Sequence, residues 1–466
     1  MVFSTLPFLF IYLPVVLAIY YVSPVKWRNL WLFAANFVFY GWGEPIYLFL
    51  MIFSITFNYI GGYFIEKYRG QDKLARRILM INTAINLVLL MFFKYFDLFA
   101  STLSAIPGLS FIRPLGLSLP IGISFYTFQT MSYAIDVYRG DATAQKNYIS
   151  FGTFVALFPQ VIAGPIIRYK DIAAQIDRRT HSVDQFASGV RRFVAGLGKK
   201  ALIADNISIL WNIYKDMPLS DITVSGAWLG ILAFSLQIYF DFSGYSDMAI
   251  GLGRMFGFEF LENFNFPYIS KSITEFWRRW HMSLGTWFRD YVYIPLGGNR
   301  CGIFRQFLNI LIVWALTGFW HGANWTFLFW GLYYAIFLMA EKAFLLRFFE
   351  KIPGFFQHLY TLVVVMCGWV FFDFNSFSRV GDYFKAMFGI AGAGFFAQAD
   401  IYYFANFAII LIIAVLGATE FWKKLYDKMN RKAQAILTPL FIIIVLILST
   451  AYLVDNSYSP FMYARF

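Results

Sequence analysis

The chain has 466 residues, 59% of them hydrophobic and only 14% charged. A soluble domain carries roughly a quarter charged residues, so this composition excludes an ordinary water-soluble globule. The net charge of +12 comes from basic residues that punctuate apolar runs, which argues against nucleic acid as a partner.

A hydrocarbon core of about 30 Å takes about 20 apolar helical residues to cross. Runs of that kind recur at 3–22, 29–43, 46–65, 78–99, 117–135, 224–250, 306–321, 323–340, 355–372, 401–421 and 435–454. The first, Phe3 to Val22, has no basic residue before it and no small-residue cleavage site after it. It reads as a retained span and not as a signal peptide. A hairpin through Gly41–Pro45 joins the second and third runs. Several runs are short or broken by Gly and Pro. The expected fold is therefore all-α and polytopic, with about 10 to 13 membrane elements, some of them re-entrant.

Basic residues gather in Lys26–Arg28, in Lys67–Arg77, between Arg168 and Lys200, between Lys271 and Arg305, and in Lys423–Lys432. Positive loops stay cytoplasmic, which places these segments on one side and both termini on the other. The chain reads as one membrane domain over 1–466, with a working middle at about 105–325 and an extracytoplasmic tail at 455–466. In that middle, Phe158-Pro-Gln-Val-Ile-Ala-Gly-Pro165 interrupts an apolar run just before Arg168. Irregular backbone at such depth is tolerated only where protein buries it or where it lines a cavity. Two cysteines, Cys301 and Cys367, offer neither a disulfide framework nor metal-ligand spacing, so no metal is expected.

Of the four histidines, His181 and His358 sit in polar or span-edge surroundings and read as solvated or interfacial. His321 differs, because no Asp, Glu, Lys or Arg occurs from Gln306 to Ala340. One helix over those residues would run about 52 Å, so the segment must tilt or fold back. Gly318, Gly322 and Asn324 mark the expected break. Counted from Arg305, about 24 Å of helix carries the imidazole well inside the membrane. An ionisable group at that depth is a functional hypothesis by default, although a neutral histidine bonded to a carbonyl in a helix interface reads equally well.

His281 follows Trp277 by four residues, which puts both on one helix face if the helix continues. Arg278 and Arg279 flank the same turn, and the plainer reading is an interfacial amphipathic helix whose histidine only packs. Downstream, Arg289 and the Gly-Gly turn before Asn299 and Arg300 suit phosphate, though no phosphate-loop pattern is present. Asp241 and Asp247 read as proton carriers or as partners of buried arginines.

Five stretches together carry a resemblance: Pro159-Gln-Val-Ile-Ala-Gly-Pro-Ile-Ile-Arg168, Phe240-Asp-Phe-Ser-Gly-Tyr-Ser-Asp247, Glu275-Phe-Trp-Arg-Arg-Trp-His281, Tyr293-Ile-Pro-Leu-Gly-Gly-Asn-Arg300 and Thr317-Gly-Phe-Trp-His-Gly322. The chain resembles the membrane-bound O-acyltransferases, most closely the branch that acetylates polysaccharides such as alginate. That likeness implies a helical ring around a thin centre, with His321 as the catalytic histidine and His281 as the second. Acetyl-CoA would be the donor from the cytoplasm, met by Arg278, Arg279, Arg289, Asn299 and Arg300. An extracellular polysaccharide would be the acceptor. A periplasmic or surface acetyltransferase with a hydrolase-like serine site would complete the transfer, in the lipid of a bacterial cytoplasmic (inner) membrane. The tail Ser459-Pro-Phe-Met-Tyr-Ala-Arg-Phe466 resembles a terminal motif of a small partner protein in teichoic-acid modification. It makes Tyr463 either an acyl relay or an aromatic anchor. The rivals are a D-alanyl or lipid O-acyltransferase of the same family, and a transporter or channel using Asp241, Asp247 and His321.

Overall fold

The structure, a computed structural model, describes residues 1–455 and residue 461. No strand occurs among the described residues. Helices satisfy their own backbone N–H and C=O groups, which is what hydrocarbon demands of a crossing segment.

The chain runs through α1 (Phe8–Val22), α2 (Arg28–Gly43), α3 (Leu48–Lys67), α4 (Asp72–Ser104), α5 (Ile123–Arg139), α6 (Tyr148–Ala156), α7 (Tyr169–Asp177), α8 (Val183–Gly198), α9 (Asp205–Asp216) and α10 (Val224–Met255). It continues through α11 (Ile273–Arg279), α12 (Met282–Phe288), α13 (Ile303–His321), α14 (Trp325–Ala340), α15 (Gly354–Asp373), α16 (Gln398–Gly417) and α17 (Arg431–Asp455). Eight of these are long and apolar enough to cross a membrane: α3, α4, α10, α13, α14 with its extension to Phe349, α15, α16 and α17. They match eight of the runs expected from the sequence, while α1, a shorter apolar helix, and the shorter helices α2 and α5 fall on three more. The protein is a polytopic all-α membrane protein. Among the described residues, 67% of the most apolar part of α10 is buried in protein against 6% for α17, so α10 is a core helix and α17 a peripheral one.

The chain forms two compact units, interleaved in sequence: Met1–Phe193 with Tyr245–Leu261, and Val194–Gly244 with Glu262–Met462. In the first, the amides of Asn58 on α3 and Asn86 on α4 exchange hydrogen bonds of 3.1 and 2.8 Å. Polar glue of this kind replaces the hydrophobic drive that lipid removes. Here too the Phe158–Pro165 stretch makes one short helical turn and then runs irregularly, buried throughout. Protein therefore covers its backbone, and Arg168 beyond it forks onto Asp171 at 2.7 and 2.8 Å. Asp247 is likewise paired, with Arg192 at 2.9 Å.

One expectation is corrected in the second unit. The basic stretch ending at Lys200 was read as loop, but a π-helical turn, Lys199–Ala204, links α8 to α9 without a break. Lys200 is 2% exposed and lies 2.7 Å from both Asp205 and Asp241. A lone buried ammonium is costly, and two carboxylates offset that cost. The sequence showed the charge but not its partners, which are five and 41 residues away.

Candidate active site

The site lies in the second unit and rests on the α13–α14 hairpin. A side chain at Gly318 would collide with the Phe327 carbonyl, and one at Gly331 with the Trp314 carbonyl. Small residues at both positions let the two backbones meet closely. The turn between the helices is where the sequence placed it. His321 ends α13, Gly322 is extended, and the Asn324 side chain caps α14 by accepting from Thr326 N at 3.0 Å. His321 is 1% exposed. Its ring meets Trp320, Trp330 and Phe372 at centroid distances of 5.0, 4.9 and 5.3 Å. The C-terminal end of a helix favours positive charge by about 0.3–1 kcal/mol, so this position supports an imidazole that takes up a proton.

His281 arrives by a route the sequence did not show. The expected single helix through Trp277 and His281 is broken: α11 ends at Arg279, Trp280 is extended, and His281 takes φ 44° before α12 begins. Left-handed backbone is uncommon for a residue with a side chain and is held only by surrounding contacts. Asn263 supplies them. Its carbonyl accepts from Met282 N at 2.9 Å, and its side-chain Oδ1 accepts from Ser283 N and Ser283 Oγ at 3.2 and 2.9 Å.

The same Oδ1 lies 3.0 Å from His281 Nδ1. Because the Ser283 N–H can only donate, that amide atom must be oxygen, and His281 Nδ1 therefore carries the proton. In the neutral ring Nε2 then holds the lone pair. His281 belongs to none of the eight spanning helices, and burial pushes its pKa down to about 3. It is 2% exposed, not interfacial, and its ring centroid stands 6.5 Å from that of His321. Phe242 of α10 packs edge-on against it at 4.7 Å. The structure thus joins the two histidines that the sequence singled out 40 residues apart.

The α11 start is itself fixed by a buried carboxylate. Glu341 accepts from Ile273 N, Thr274 N and Thr274 Oγ1 at 2.6, 2.8 and 2.6 Å. A helix leaves its first N–H groups unsatisfied and favours negative charge beside them. Local residue order does not signal this pairing, since Glu341 and Thr274 are separated by 67 residues. Asn263 was missed for the same reason.

A cavity of about 340 Å³ opens beside His281. Trp277, Trp280 and Trp314 wall it, and the cations Arg278, Arg289 and Lys342, all exposed, line it where it meets solvent. His281 is part of its lining and His321 is not. Among the described residues no carboxylate lies within ion-pair distance of Arg278, whereas Arg289 reaches Asp290 at 2.7 Å. The remaining candidates lie elsewhere. Arg279 pairs with Glu275 at 2.9 Å and donates to the Asn265 carbonyl. Asn299 and Arg300 are exposed outside the cavity. The amides of Gly297 and Gly298 donate to Ile294 and Tyr293 carbonyls at 2.9 Å each, so this turn does not offer them to a phosphate. His358 Nδ1 donates to the Ser270 carbonyl at 3.0 Å and is not part of the cavity lining. Tyr463 lies outside the described residues.

A family model described as MBOAT, the membrane-bound O-acyltransferase family, matches residues 142–378, a span that contains both histidines. The chain is similar to a probable alginate O-acetylase AlgI of Azotobacter vinelandii, with 46% identity over 83% of this chain and 78% of that protein. A probable alginate O-acetylase AlgI of Pseudomonas putida is 40% identical over 100% of both chains. A peptidoglycan O-acetyltransferase of Helicobacter pylori is 32% identical over 98% of this chain and 90% of that one.

Proposed function

From the premise that this chain belongs to the membrane-bound O-acyltransferase family and is an O-acyltransferase, we propose that it transfers acetyl from acetyl-CoA to an extracytoplasmic hydroxyl. The hydroxyl would serve O-acetylation of a polysaccharide of the alginate type. The observation that carries this reading is the cavity that joins three exposed cations to His281, one ring away from His321. Guanidinium and ammonium groups at its opening suit the phosphates of coenzyme A, and tryptophan walls suit an apolar pantetheine arm.

In the reaction, the hydroxyl oxygen attacks the thioester carbonyl and the C–S bond breaks. His321 takes the hydroxyl proton and returns it to the leaving thiolate, so ester and free thiol result. His281, held as the Nδ1–H tautomer by Asn263, presents an Nε2 lone pair beside it. Asp241 and Asp247 are ion-paired groups, and neither is assigned a step.

The proposed setting is a bacterial cytoplasmic membrane with the cationic opening inward and both termini outward. A partner enzyme with a serine site would take the acyl group onward. Tyr463 is proposed as the relay. Support comes from the terminal Phe461-Met-Tyr-Ala-Arg-Phe466 resemblance, whose tyrosine supplies a hydroxyl for the acyl group. The test is purified protein given radiolabelled acetyl-CoA. Thiol release with label on Tyr463 is expected, and Tyr463→Phe, which lacks the accepting hydroxyl, should neither release thiol nor retain label. Absence of any thiol release with acceptor present would overturn acetyl-CoA as the donor.

A further inference from the structure

The first unit holds a second cavity, of about 380 Å³, with a different chemistry. Lys26, Arg28, Arg178 and Arg179 line it against one carboxylate, Asp177. Among the described residues, none of the four cations lies within ion-pair distance of a carboxylate. Two of them are nevertheless held firmly. The guanidiniums of Arg28 and Arg179 both sit on the Tyr20 ring, at 5.1 and 5.6 Å, and Arg179 also covers Phe258 at 4.4 Å.

Hydrogen bonds complete the arrangement, and their directions follow from the donors. Arg28 Nη1 can only donate, so His181 Nδ1, 3.2 Å away, accepts. His181 Nε2 then bears the proton and donates to Tyr20 Oη at 2.9 Å. That oxygen also accepts from Arg179 Nε at 2.8 Å and passes its own proton to the Phe256 carbonyl at 3.0 Å. Arg28 Nε is bound to the Ser23 carbonyl, and Arg179 Nη1 to the Gln175 and Ile176 carbonyls. Among the described residues, no group accepts from the Nη2 of either guanidinium.

Every partner in this network is neutral. It orients two like charges and cancels neither. Burial first, then the two arginines, holds the His181 pKa below its ordinary value, which agrees with a positive field in the cavity. Planar donors fixed without a counter-ion are an arrangement for a multivalent oxyanion.

We propose that this cavity binds a phosphate-bearing anion, and that its natural source is the headgroup of an anionic phospholipid. The rim favours that source: Val22, Val25 and Trp27 expose apolar surface (87, 73 and 51%) beside Lys26. Aromatic, aliphatic and lysine side chains together mark the level of lipid headgroups, and basic pockets at that level recognise anionic ones. Nothing in the acyl-transfer reading requires this site, which lies in the other unit.

The test uses the full chain purified in neutral detergent. Thermal shift and native mass spectrometry would follow binding of short-chain phosphatidylglycerol, phosphatidylcholine of equal chain length, and inorganic phosphate. Phosphatidylglycerol should bind and phosphatidylcholine should not. The double variant Arg28→Lys/Arg179→Lys keeps the charge and loses the forks, and should weaken binding. Should it fail to fold, Lys26→Gln with Arg178→Gln, both exposed and unbonded, decides, with a loss of about fivefold per charge. Tight binding of inorganic phosphate, lost in the same variants, keeps the site but makes its ligand a soluble anion. Equal binding of phosphatidylglycerol to wild type and both double variants overturns the proposal.

Discussion

The two cavities are close in size, about 340 and 380 Å³, and each is lined by one histidine and at least two arginines. They treat that histidine in opposite ways. Beside the candidate active site, tryptophans exclude water and His281 is neutral because it is buried, its tautomer set by the Asn263 amide. In the first unit, His181 is half-buried and neutral partly because two arginines crowd it, and it serves as a hydrogen-bonded spacer between Arg28 and Tyr20. The same side chain thus has its tautomer set by an amide in one cavity and serves as a fixed strut in the other. Residue type alone does not assign a role. What separates the two is where the second ring nitrogen finds its partner.

That comparison breaks first at His321. His321→Ala should leave insertion and thermal stability near wild type while lowering acyl transfer about 10² to 10⁴-fold, the usual worth of a positioned base. Thioester-release assays on reconstituted protein measure it, and a variant retaining a tenth of wild-type rate ends the assignment.

Asn263 tests whether the tautomer matters. Asn263→Ala strips the acceptor from His281 Nδ1, Ser283 N and Ser283 Oγ at once. Each buried donor left without an acceptor costs about 1–3 kcal/mol, so a clear drop in melting temperature should accompany a lower kcat. If Asn263→Ala lowers stability yet leaves kcat untouched, the amide is a scaffold alone.

A smaller effect is expected at the cationic opening. Arg278→Ala should raise the apparent KM for acetyl-CoA about tenfold, the worth of one charge-assisted hydrogen bond. Arg289→Ala should do less, because Asp290 already takes part of that guanidinium. The reverse order, or unchanged donor kinetics in both, would move the thioester out of this cavity.

The smallest effect concerns pH. A histidine whose folded pKa lies below its unfolded value adds stability that is complete above the unfolded pKa of about 6.5 and is lost as pH falls below it. His181 is of this kind. Between pH 7 and 5 the wild-type melting temperature should therefore fall slightly more than that of His181→Gln. An anion in the first-unit cavity should flatten the difference, because it relieves the positive field.

Much of the architecture was legible from residue order. Apolar runs located the spanning helices, the charge-free stretch from Gln306 to Ala340 forced a fold-back, and Gly318, Gly322 and Asn324 marked its turn. His321 stood out for the same reason, as the one histidine in a stretch without Asp, Glu, Lys or Arg. His281 was visible within a sequence motif but its helix was not, because helical periodicity reads across Trp280 while the backbone is extended there and turns left-handed at His281. Local pattern cannot report a break imposed by Asn263, 18 residues upstream. Arg279, Asn299 and Arg300 looked like Arg278 in sequence, and only their surroundings place them outside the cavity.

By itself, then, the sequence determined that the chain crosses a membrane, roughly where it does so, and which histidine stands in a long stretch free of Asp, Glu, Lys and Arg. These follow from hydrophobic length and from the cost of charge in hydrocarbon, both properties of consecutive residues. Tertiary structure alone decided which charges are neutralised and which remain. Lys200 meets Asp205 and Asp241, Arg192 meets Asp247, Glu341 meets the start of α11, and Arg28 and Arg179 meet only neutral partners. An ion pair is a relation between side chains brought within a few ångströms, and the spacing of residues along a helix-rich chain does not encode it.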